Sequence, residues 1–235
     1  MSPTSPATRP ATMTDRRTAL GAWLLVATVQ YLIAEAVTAV SWSPVGYSYA
    51  RNYISDLGVP ECLTLDRTVC SPLWFVMDAS FVVQGIITFV ALVLLARLVP
   101  RGWRIPVVGL GVIYCVGIVI VGLFPGSTAE VIGGSAFRAT MHSLGALLAI
   151  LGGNVWALVA GVALLPRWRG WALCSILLGV FGIAAGIIST RTDLGLGVGG
   201  IERLAVYPII GWLILTGAAL LAARRTGATG GRAGR

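Results

Sequence analysis

The sequence predicts an all-α polytopic membrane protein, a bundle of six transmembrane helices with a short amphipathic helix on its outer face. Of the 235 residues, 57% are hydrophobic and only 11% are charged, which is more apolar surface than a soluble domain can bury. Six apolar runs have the length of about 20 residues that a bilayer core requires. The 17 basic residues are all arginines scattered among the connections, which indicates membrane topology and no nucleic-acid partner.

The first apolar run follows a polar segment. Residues 1–18 are rich in Ser, Thr and Pro and lack apolar periodicity, so we expect a disordered cytoplasmic tail. Arg16 and Arg17 resemble a twin-arginine export signal, but the apolar run that follows is too long for a signal peptide, which favours an uncleaved first span. The predicted transmembrane domain is 19–223, and residues 224–235 form a basic cytoplasmic tail. The six predicted spans of the transmembrane domain are about 19–40, 73–96, 105–124, 140–165, 171–190 and 205–223.

Arginine is distributed unequally between the two ends of the predicted bundle. The end with both termini carries twelve arginines, namely Arg9, Arg16, Arg17, Arg97, Arg101, Arg104, Arg167, Arg169, Arg224, Arg225, Arg232 and Arg235. The positive-inside rule therefore predicts a multi-pass protein of the cell membrane with both termini cytoplasmic. The long connection 41–72 would then lie outside the cytoplasm, where the connections are long enough to form a functional site.

The long connection contains the segment YSYARNYISDLGVP at residues 47–60. At about 100° per residue, Tyr53 and Leu57 share an apolar face, which predicts an amphipathic helix lying in the membrane interface. Gly58 is placed to end this helix. Asp56 would flank the apolar face and reach the ionisable groups of the bundle, although a surface linker with a solvated Asp56 is the alternative.

Two of the four cysteines lie in the long connection. Cys62 and Cys70 are eight positions apart, whereas Cys115 and Cys174 lie inside predicted spans, where cysteine is usually a small buried hydrophobe. Outside the cytoplasm, a disulfide between Cys62 and Cys70 would close a small ring. A zinc site would need more thiol or imidazole ligands than this connection offers, so the sequence favours the disulfide.

Ionisable residues concentrate at the outer level of the bundle. Such residues are costly inside a membrane and are often functional. Helix direction places Glu35, late in the first span, at the same depth as Asp78, early in the second. The candidate ligand-binding residues are Asp56, Glu35, Asp78, Arg138, His142, Glu202 and Arg203.

Three functions are compatible with these charges. The favoured one is an outward-facing charged cavity that binds a lipid headgroup or small amphiphile from the bilayer. The alternatives are a membrane-embedded hydrolase or transferase using an Asp/Glu/His set, and a structural ion-pair network in an assembly factor. Catalytic residues and cofactors stay unknown at this point. A divalent metal on carboxylates is chemically reasonable but is not favoured, and no metal site is predicted.

Two glycine patterns have different meanings. Gly195, Gly197 and Gly200 match a dinucleotide-binding consensus, but no buried strand precedes them, so a flexible hinge before the last span is the better interpretation. Gly182 and Gly186 form a G-x-x-x-G pattern in the fifth span. This pattern favours close helix packing, either within the chain or in a homo-oligomer.

Several of these features occur together in a known family. They are Ile54-Ser55-Asp56-Leu57-Gly58 after the first span, Phe124-Pro125 ending the third, His142 opening the fourth, and Glu202-Arg203 before the last. In this arrangement the chain resembles the bacterial membrane family called domain of unknown function 998, over about residues 19–223. The resemblance implies a six-helix membrane protein and no established activity, so it supplies no catalytic residue. It does favour a functional role for Asp56.

Overall fold

The computed structural model describes residues 15–42, 46–64, 68–126 and 135–230, with residues 226–230 described by their backbone alone. Within these ranges, six stretches are helical, long and apolar enough to cross a membrane. The α-helices are α1 Arg16–Ala27, α2 Gln30–Val40, α3 Trp74–Leu95, α4 Arg104–Leu123, α5 Ala136–Leu164, α6 Arg169–Ser189 and α7 Val198–Gly230, of which α1 and α2 together form the first stretch. The predicted class, an all-α membrane protein with six spans, is confirmed.

The first span is interrupted between α1 and α2. Asp15 caps its N-terminus by accepting a hydrogen bond from the backbone N–H of Arg17. The hydroxyl of Thr28 donates to the carbonyl oxygen of Leu25 at 2.6 Å, and back-bonding of this kind bends helices. As a result, α1 packs against α7 and α3, whereas α2 packs against α3 and the long connection.

The helices form a closed ring in chain order. Each helix from α4 to α7 packs against its predecessor, and α7 returns to contact α1. Glycines allow close approach: a Cβ atom added at Gly117 of α4 would lie 2.8 Å from the carbonyl oxygen of Gly145 in α5. Because α5 also contacts α7 directly, α6 lies on the outside of the ring, and its apolar window is the least buried of the six.

Neutral polar side chains join three helices inside the ring. Gln84 of α3 is fully buried, accepts a hydrogen bond from Gln30 of α2 at 3.1 Å and donates to the hydroxyl of Tyr114 in α4 at 3.2 Å. Hydrogen bonds between membrane helices each contribute about 0.6 kcal/mol on average. The interior is therefore held by packing and uncharged contacts, and the charged residues lie nearer the ends.

The two ends of the bundle differ chemically. One, which we call the long-connection end, carries the connection between α2 and α3 together with the N-termini of α5 and α7. The other, which we call the arginine-rich end, carries the N-terminus of α1 and the short connections that contain Arg97, Arg101 and Arg167.

Two helices begin earlier than hydropathy predicts at the long-connection end. α5 starts at Ala136 and not at residue 140, and α7 starts at Val198 and not at residue 205. Consequently Glu202 and Arg203 lie inside α7 and not before it. Hydropathy detects the apolar part of a helix, and a polar turn at its end carries no apolar signal.

The predicted terminal tails are partly helical. α1 begins at Arg16 and α7 continues to Gly230, so residues 16–18 and 224–230 extend the first and last spans. Residues 1–14 and 231–235 lie outside the described residues.

The segment 47–60 is not the regular amphipathic helix that its pattern predicts. A turn at Ser48, whose carbonyl oxygen accepts the N–H of Asn52 at 2.8 Å, leads into a single 3-10 helix, Ser55–Gly58. Ile54 and Leu57 are buried, so the segment is packed into the end of the bundle and does not lie flat on it. Short polar side chains that bond to their own backbone, described below, compete with regular helix formation here.

A small disulfide-bonded hairpin covers this segment. Strand β1 Leu63–Thr64 pairs antiparallel with β2 Thr68–Val69, and Cys62 and Cys70 form the predicted disulfide beside them. The hydroxyl of Ser71 donates to the carbonyl oxygen of Leu57 at 2.7 Å, which ties the hairpin to the 3-10 helix. Of the two remaining cysteines, Cys115 is buried as expected, but Cys174 is exposed on α6, on the outer side of the ring.

Candidate functional site

Arg203 and Glu35 form a buried ion pair at the long-connection end. Arg203, in the second turn of α7, donates from Nε to the Oε1 atom of Glu35 on α2 at 3.0 Å, and its Nη2 atom lies 2.9 Å from the same oxygen. Arg203 is 6% exposed and Glu35 is 2% exposed. The hydroxyl of Tyr207, one turn further along α7, lies 3.0 Å from both carboxylate oxygens of Glu35. Both oxygens of Glu35 are therefore hydrogen-bonded.

The same guanidinium also holds the long connection. Nη1 of Arg203 donates to the carbonyl oxygens of Tyr49, Asn52 and Gly199 at 2.8, 3.1 and 2.8 Å, and Nη2 donates to the hydroxyl of Tyr47. Its carbon Cζ lies 4.7 Å from the ring centroid of Tyr49, a cation–π distance. Every nitrogen of Arg203 has a partner, so we call Arg203, Glu35, Tyr47 and Tyr207 the Arg203 clasp.

Tyr47 and Tyr49 of the long connection are neutral phenols. Burial raises the pKa of the Tyr47 hydroxyl well above its ordinary value, and the nearby Arg203 offsets this only in part. Burial, together with the charge of Glu35, also raises the pKa of Tyr49. Neither phenol is ionised at neutral pH, which is consistent with a positioning role for Tyr47 in the clasp.

Glycines at the start of α7 let the long connection lie directly on the helix. A Cβ atom at Gly197 would lie 2.3 Å from the carbonyl oxygen of Ala50, and one at Gly199 would lie 2.1 Å from that of Asn52. The φ angle of Gly197 is +76°, which also favours glycine. The glycine-rich segment before Glu202 therefore packs directly against the backbone of the long connection. The expectation of a flexible hinge is wrong.

Asp56 is bonded within its own segment. Its Oδ2 atom accepts the backbone N–H of Tyr53 at 2.9 Å and the side-chain amide of Asn52 at 3.3 Å, and the residue is 4% exposed. Asn52 in turn donates to the carbonyl oxygen of Thr68 in the hairpin at 3.0 Å. Asp56 thus shapes the 3-10 helix, and the expected position at the polar border of an exposed amphipathic helix is wrong.

Asp78 lies under the 3-10 helix. A Cβ atom at Gly58 would lie 2.2 Å from Oδ1 of Asp78, so this position has no room for a side chain. Oδ1 is buried, and within the described ranges it has no hydrogen-bond partner. These contacts explain the Ser-Asp-Leu-Gly sequence. Asp56 accepts a hydrogen bond from the backbone, Leu57 is buried in the core, and Gly58 leaves space for the carboxyl group of Asp78 on α3.

Arg138 and His142 begin α5. Nη2 of Arg138 lies 2.8 Å from the Oε1 atom of Glu61 in the long connection, an acid that the sequence-based site did not include. Nδ1 of His142 lies 2.9 Å from the carbonyl oxygen of Phe124, at the end of α4. The described contacts of Arg138 and His142 thus involve partners other than those of the Arg203 clasp.

Glu202 differs from the other acids because it borders two empty spaces. Its Oε2 atom accepts the backbone N–H of Ile54 at 2.5 Å. It lines a cavity of about 50 Å³, which we call the inner cavity, together with His142, Tyr31 and Ser55. It also lines a groove of about 670 Å³ between α5, α6 and α7, which we call the lateral groove.

The lateral groove has an apolar wall and a polar rim. Leu147, Leu151 and Ile187 line it and are among the exposed large hydrophobic side chains of the bundle. The rim consists of residues at the end of α6 and the start of the next connection, namely Ser189, Thr190, Arg191, Thr192 and Asp193. Gly186 lies in the groove wall, where an added Cβ would meet atoms no closer than 3.8 Å.

Comparison with known protein families identifies the family of this chain. The sequence profile of the family described as "Protein of unknown function (DUF998)" matches residues 18–219. The chain belongs to this family. The match overlaps all six membrane-compatible stretches, and no curated protein and no solved structure matches the chain.

In this DUF998 protein, the sequence-based candidates did not include two clasp residues, Tyr47 and Tyr207, or Asn52 and Glu61 outside the clasp. Tyr207 is four positions after Arg203, so both lie on one face of α7, and this spacing was a usable signal. Tyr47 was visible only as part of an aromatic segment. Asn52 and Glu61 gave no signal, because their roles depend on how the long connection folds.

Two further sequence-based expectations concern the glycine pair of the fifth span and a metal site. A Cβ at Gly182 would lie 2.0 Å from Oδ1 of Asn154 on α5, so Gly182 packs inside the chain, and a homo-oligomer through Gly182 and Gly186 stays a prediction. Within the described part of the chain, no three His, Cys, Asp or Glu residues are grouped so that they could hold a metal ion.

Proposed function

We propose that this DUF998 protein binds an amphiphile from the bilayer in the lateral groove, with the polar head of the ligand at Glu202 and the rim. The observation that carries the proposal is the position of Glu202, a carboxylate at the inner end of an apolar groove whose wall includes side chains exposed on the outside of the ring. Both oxygens of Glu35 are used by the Arg203 clasp, whereas the one described hydrogen bond of Glu202 occupies Oε2.

The apolar wall fits a hydrocarbon chain. Leu147 and Leu151 are one helical turn apart on α5 and face the groove opposite Ile187 of α6. Ligand sites are typically apolar clefts of about 300–1,000 Å³ with a few polar groups that fix orientation, and the groove of about 670 Å³ lies in that range.

The polar groups favour a head that donates hydrogen bonds. The carboxylate of Glu202 accepts only, when ionised, so a hydroxyl or amine of the ligand is the complementary group. Arg191 and Asp193 at the rim offer one charge of each sign, which suits a neutral or zwitterionic head better than a strongly anionic one.

The proposed orientation places the rim and the long-connection end outside the cytoplasm, in the cell membrane. It rests on the arginine bias towards the opposite end. The Cys62–Cys70 disulfide supports it, because structural disulfides persist in oxidising compartments. Labelling of a Gly102→Cys variant from outside intact cells would contradict this orientation.

The test is native mass spectrometry of protein extracted in mild detergent. Gly186→Leu places a side chain in the groove without a backbone clash, and we expect it to lose the lipid that the wild type retains. Gly109→Leu is the matched control, since Gly109 of α4 faces space with nothing within 4 Å. Equal lipid retention by both variants would contradict the proposal.

A membrane-embedded hydrolase is a second candidate, and one observation favours it. Glu202 and His142 line the same inner cavity, directly behind the groove, and this pair has the acid–base capacity that water activation needs. A Glu202→Gln variant separates the two functions. It would retain an amphiphile but lose turnover in a hydrolase, whereas in a binding protein it would lose affinity.

A further inference from the structure

A separate cavity lies inside the ring at the arginine-rich end. It has a volume of about 190 Å³, and all six spans contribute to its lining. Its wall is almost entirely apolar and includes four indoles, Trp156, Trp168, Trp171 and Trp212. We call it the tryptophan cavity. Among the described residues that line the lateral groove there is no tryptophan, so the two spaces are chemically distinct.

The indole nitrogens of two of these tryptophans are directed into the protein. Trp171 donates to the hydroxyl of Thr216 at 3.2 Å, and Trp212 donates to the hydroxyl of Ser175 at 2.8 Å. The rings therefore present carbon faces and edges to the cavity. An engineered apolar cavity of about 150 Å³ stays dry and takes benzene, so the tryptophan cavity of about 190 Å³ has room for part of one hydrocarbon chain.

Two arginines are next to lining residues of the cavity near the connection between α3 and α4. Arg97 lies between Ala96 and Leu98, which both line the cavity, and Nη2 of Arg104 donates to the carbonyl oxygen of the lining residue Val99 at 3.4 Å. The Nε atoms of both arginines are buried, and among the described residues neither has a hydrogen-bond partner. Buried donors normally have acceptors, so an acceptor from a ligand would complete both groups.

We propose that the tryptophan cavity is a second ligand site and takes the chain of a fatty-acid anion, whose carboxylate binds Arg97 and Arg104. The cavity volume accommodates a single chain, and the two guanidinium groups favour an anionic, hydrogen-bond-accepting head. Asp15, which pairs with Arg97, neutralises only one of the two positive charges. The inference does not rest on ligand binding in the lateral groove.

The test uses tryptophan fluorescence of the purified full-length protein in detergent, with 12-bromododecanoate as the probe. Bromine quenches nearby indoles, so a chain in the cavity should give saturable quenching that unbrominated dodecanoate reverses. Exposed tryptophans such as Trp23 and Trp103 are quenched through the micelle, and that component rises without saturation. The neutral analogue 12-bromododecanol tests whether the head contributes.

Two matched pairs of variants locate the site. Arg104→Gln should weaken binding of the carboxylate probe about tenfold, because a charged hydrogen bond is lost. It should leave binding of the alcohol unchanged. The control is Arg101→Gln, at an exposed position three residues earlier, which should change the binding of neither probe. Ala223→Phe adds bulk to the cavity lining at an exposed position and should remove saturable quenching, but its exposed neighbour Ala222→Phe should not.

The results that overturn the proposal are equally specific. Quenching without saturation in the wild type, or equal saturable quenching in Ala223→Phe and Ala222→Phe, would exclude a ligand in this cavity. Equal affinity for the acid and the alcohol, unchanged by Arg104→Gln, would overturn the assignment of a carboxylate head. Gly186→Leu, which fills the lateral groove, should leave this quenching intact whether or not the groove binds an amphiphile.

Discussion

Arg203 and Glu202 are adjacent in the sequence, yet they belong to regions built in opposite ways. In the Arg203 clasp, every nitrogen of the guanidinium has a partner, and both oxygens of Glu35 are bonded. Around Glu202, the described structure has one backbone hydrogen bond and two empty spaces. The comparison teaches that an ionisable group in a membrane protein becomes a candidate for ligand binding when some of its hydrogen-bonding capacity is left over after its contacts within the protein. Burial alone does not distinguish the two cases.

The largest expected effect is on the clasp. Arg203→Gln leaves the carboxylate of Glu35 buried without its cation, so we expect a loss of about 3–5 kcal/mol in the free energy of unfolding. Thermal denaturation of the purified protein in detergent measures it. Arg51→Gln is the control, because Arg51 is exposed in the same connection. If the two variants unfold at the same temperature, the clasp does not hold the long connection.

The disulfide should have the next largest effect. A Cys62→Ser and Cys70→Ser double variant removes a ring closed over eight positions, and the chain-entropy relation gives a loss of about 2–3 kcal/mol. Hydrogen exchange should accelerate in the long connection and stay unchanged at the arginine-rich end. Uniform acceleration along the chain would contradict a local stabilising role for the hairpin.

Gly58 should show a smaller effect with a specific partner. Gly58→Ala brings a methyl group against Oδ1 of Asp78, and overpacking of this kind costs about 1–3 kcal/mol. Replacing Asp78 by Ala in the same chain should recover part of the loss, and a double-mutant cycle of melting temperatures measures this coupling. Additive effects would show that the two residues do not meet. Gly102→Ala, at a position with nothing within 4 Å, controls for the change in backbone entropy.

The smallest expected effect on stability is at Glu202. Gln can still accept the N–H of Ile54, so Glu202→Gln should change the free energy of unfolding by no more than about 1 kcal/mol, while the amphiphile retained in native mass spectra decreases. A melting temperature lowered as far as that of Arg203→Gln would place Glu202 with the clasp.

Much of the fold was predictable from the sequence, because apolar length and arginine placement are properties of the chain alone. The six spans follow from hydropathy, and the disulfide follows from two cysteines eight positions apart in one connection. Helix direction also brings Glu35 near the depth of Arg203. The pairing itself was not predictable, since the rotation of each helix about its axis decides that Arg203 meets Glu35 and Arg138 meets Glu61.

The long connection shows where pattern reasoning fails. Helical periodicity assigned Asp56 to the edge of a surface helix, but its carboxylate bonds the backbone of Tyr53 and the side chain of Asn52. A local bond of this type replaces a helical one and turns the chain inward. Empty spaces such as the lateral groove are likewise invisible in the sequence, because they depend on side chains from three helices at once.

Photocrosslinking tests most directly whether the lateral groove is the part of the molecule that binds. The protein is reconstituted with an amphiphile that carries a photoreactive group in its chain, irradiated, and mapped by peptide mass spectrometry with and without excess unlabelled amphiphile. We predict that competition removes crosslinks at Leu147, Leu151 and Ile187 but not at Phe89 of α3, an exposed residue that does not line the groove. Crosslinks at all four residues that respond equally to the competitor would contradict a ligand site at Glu202.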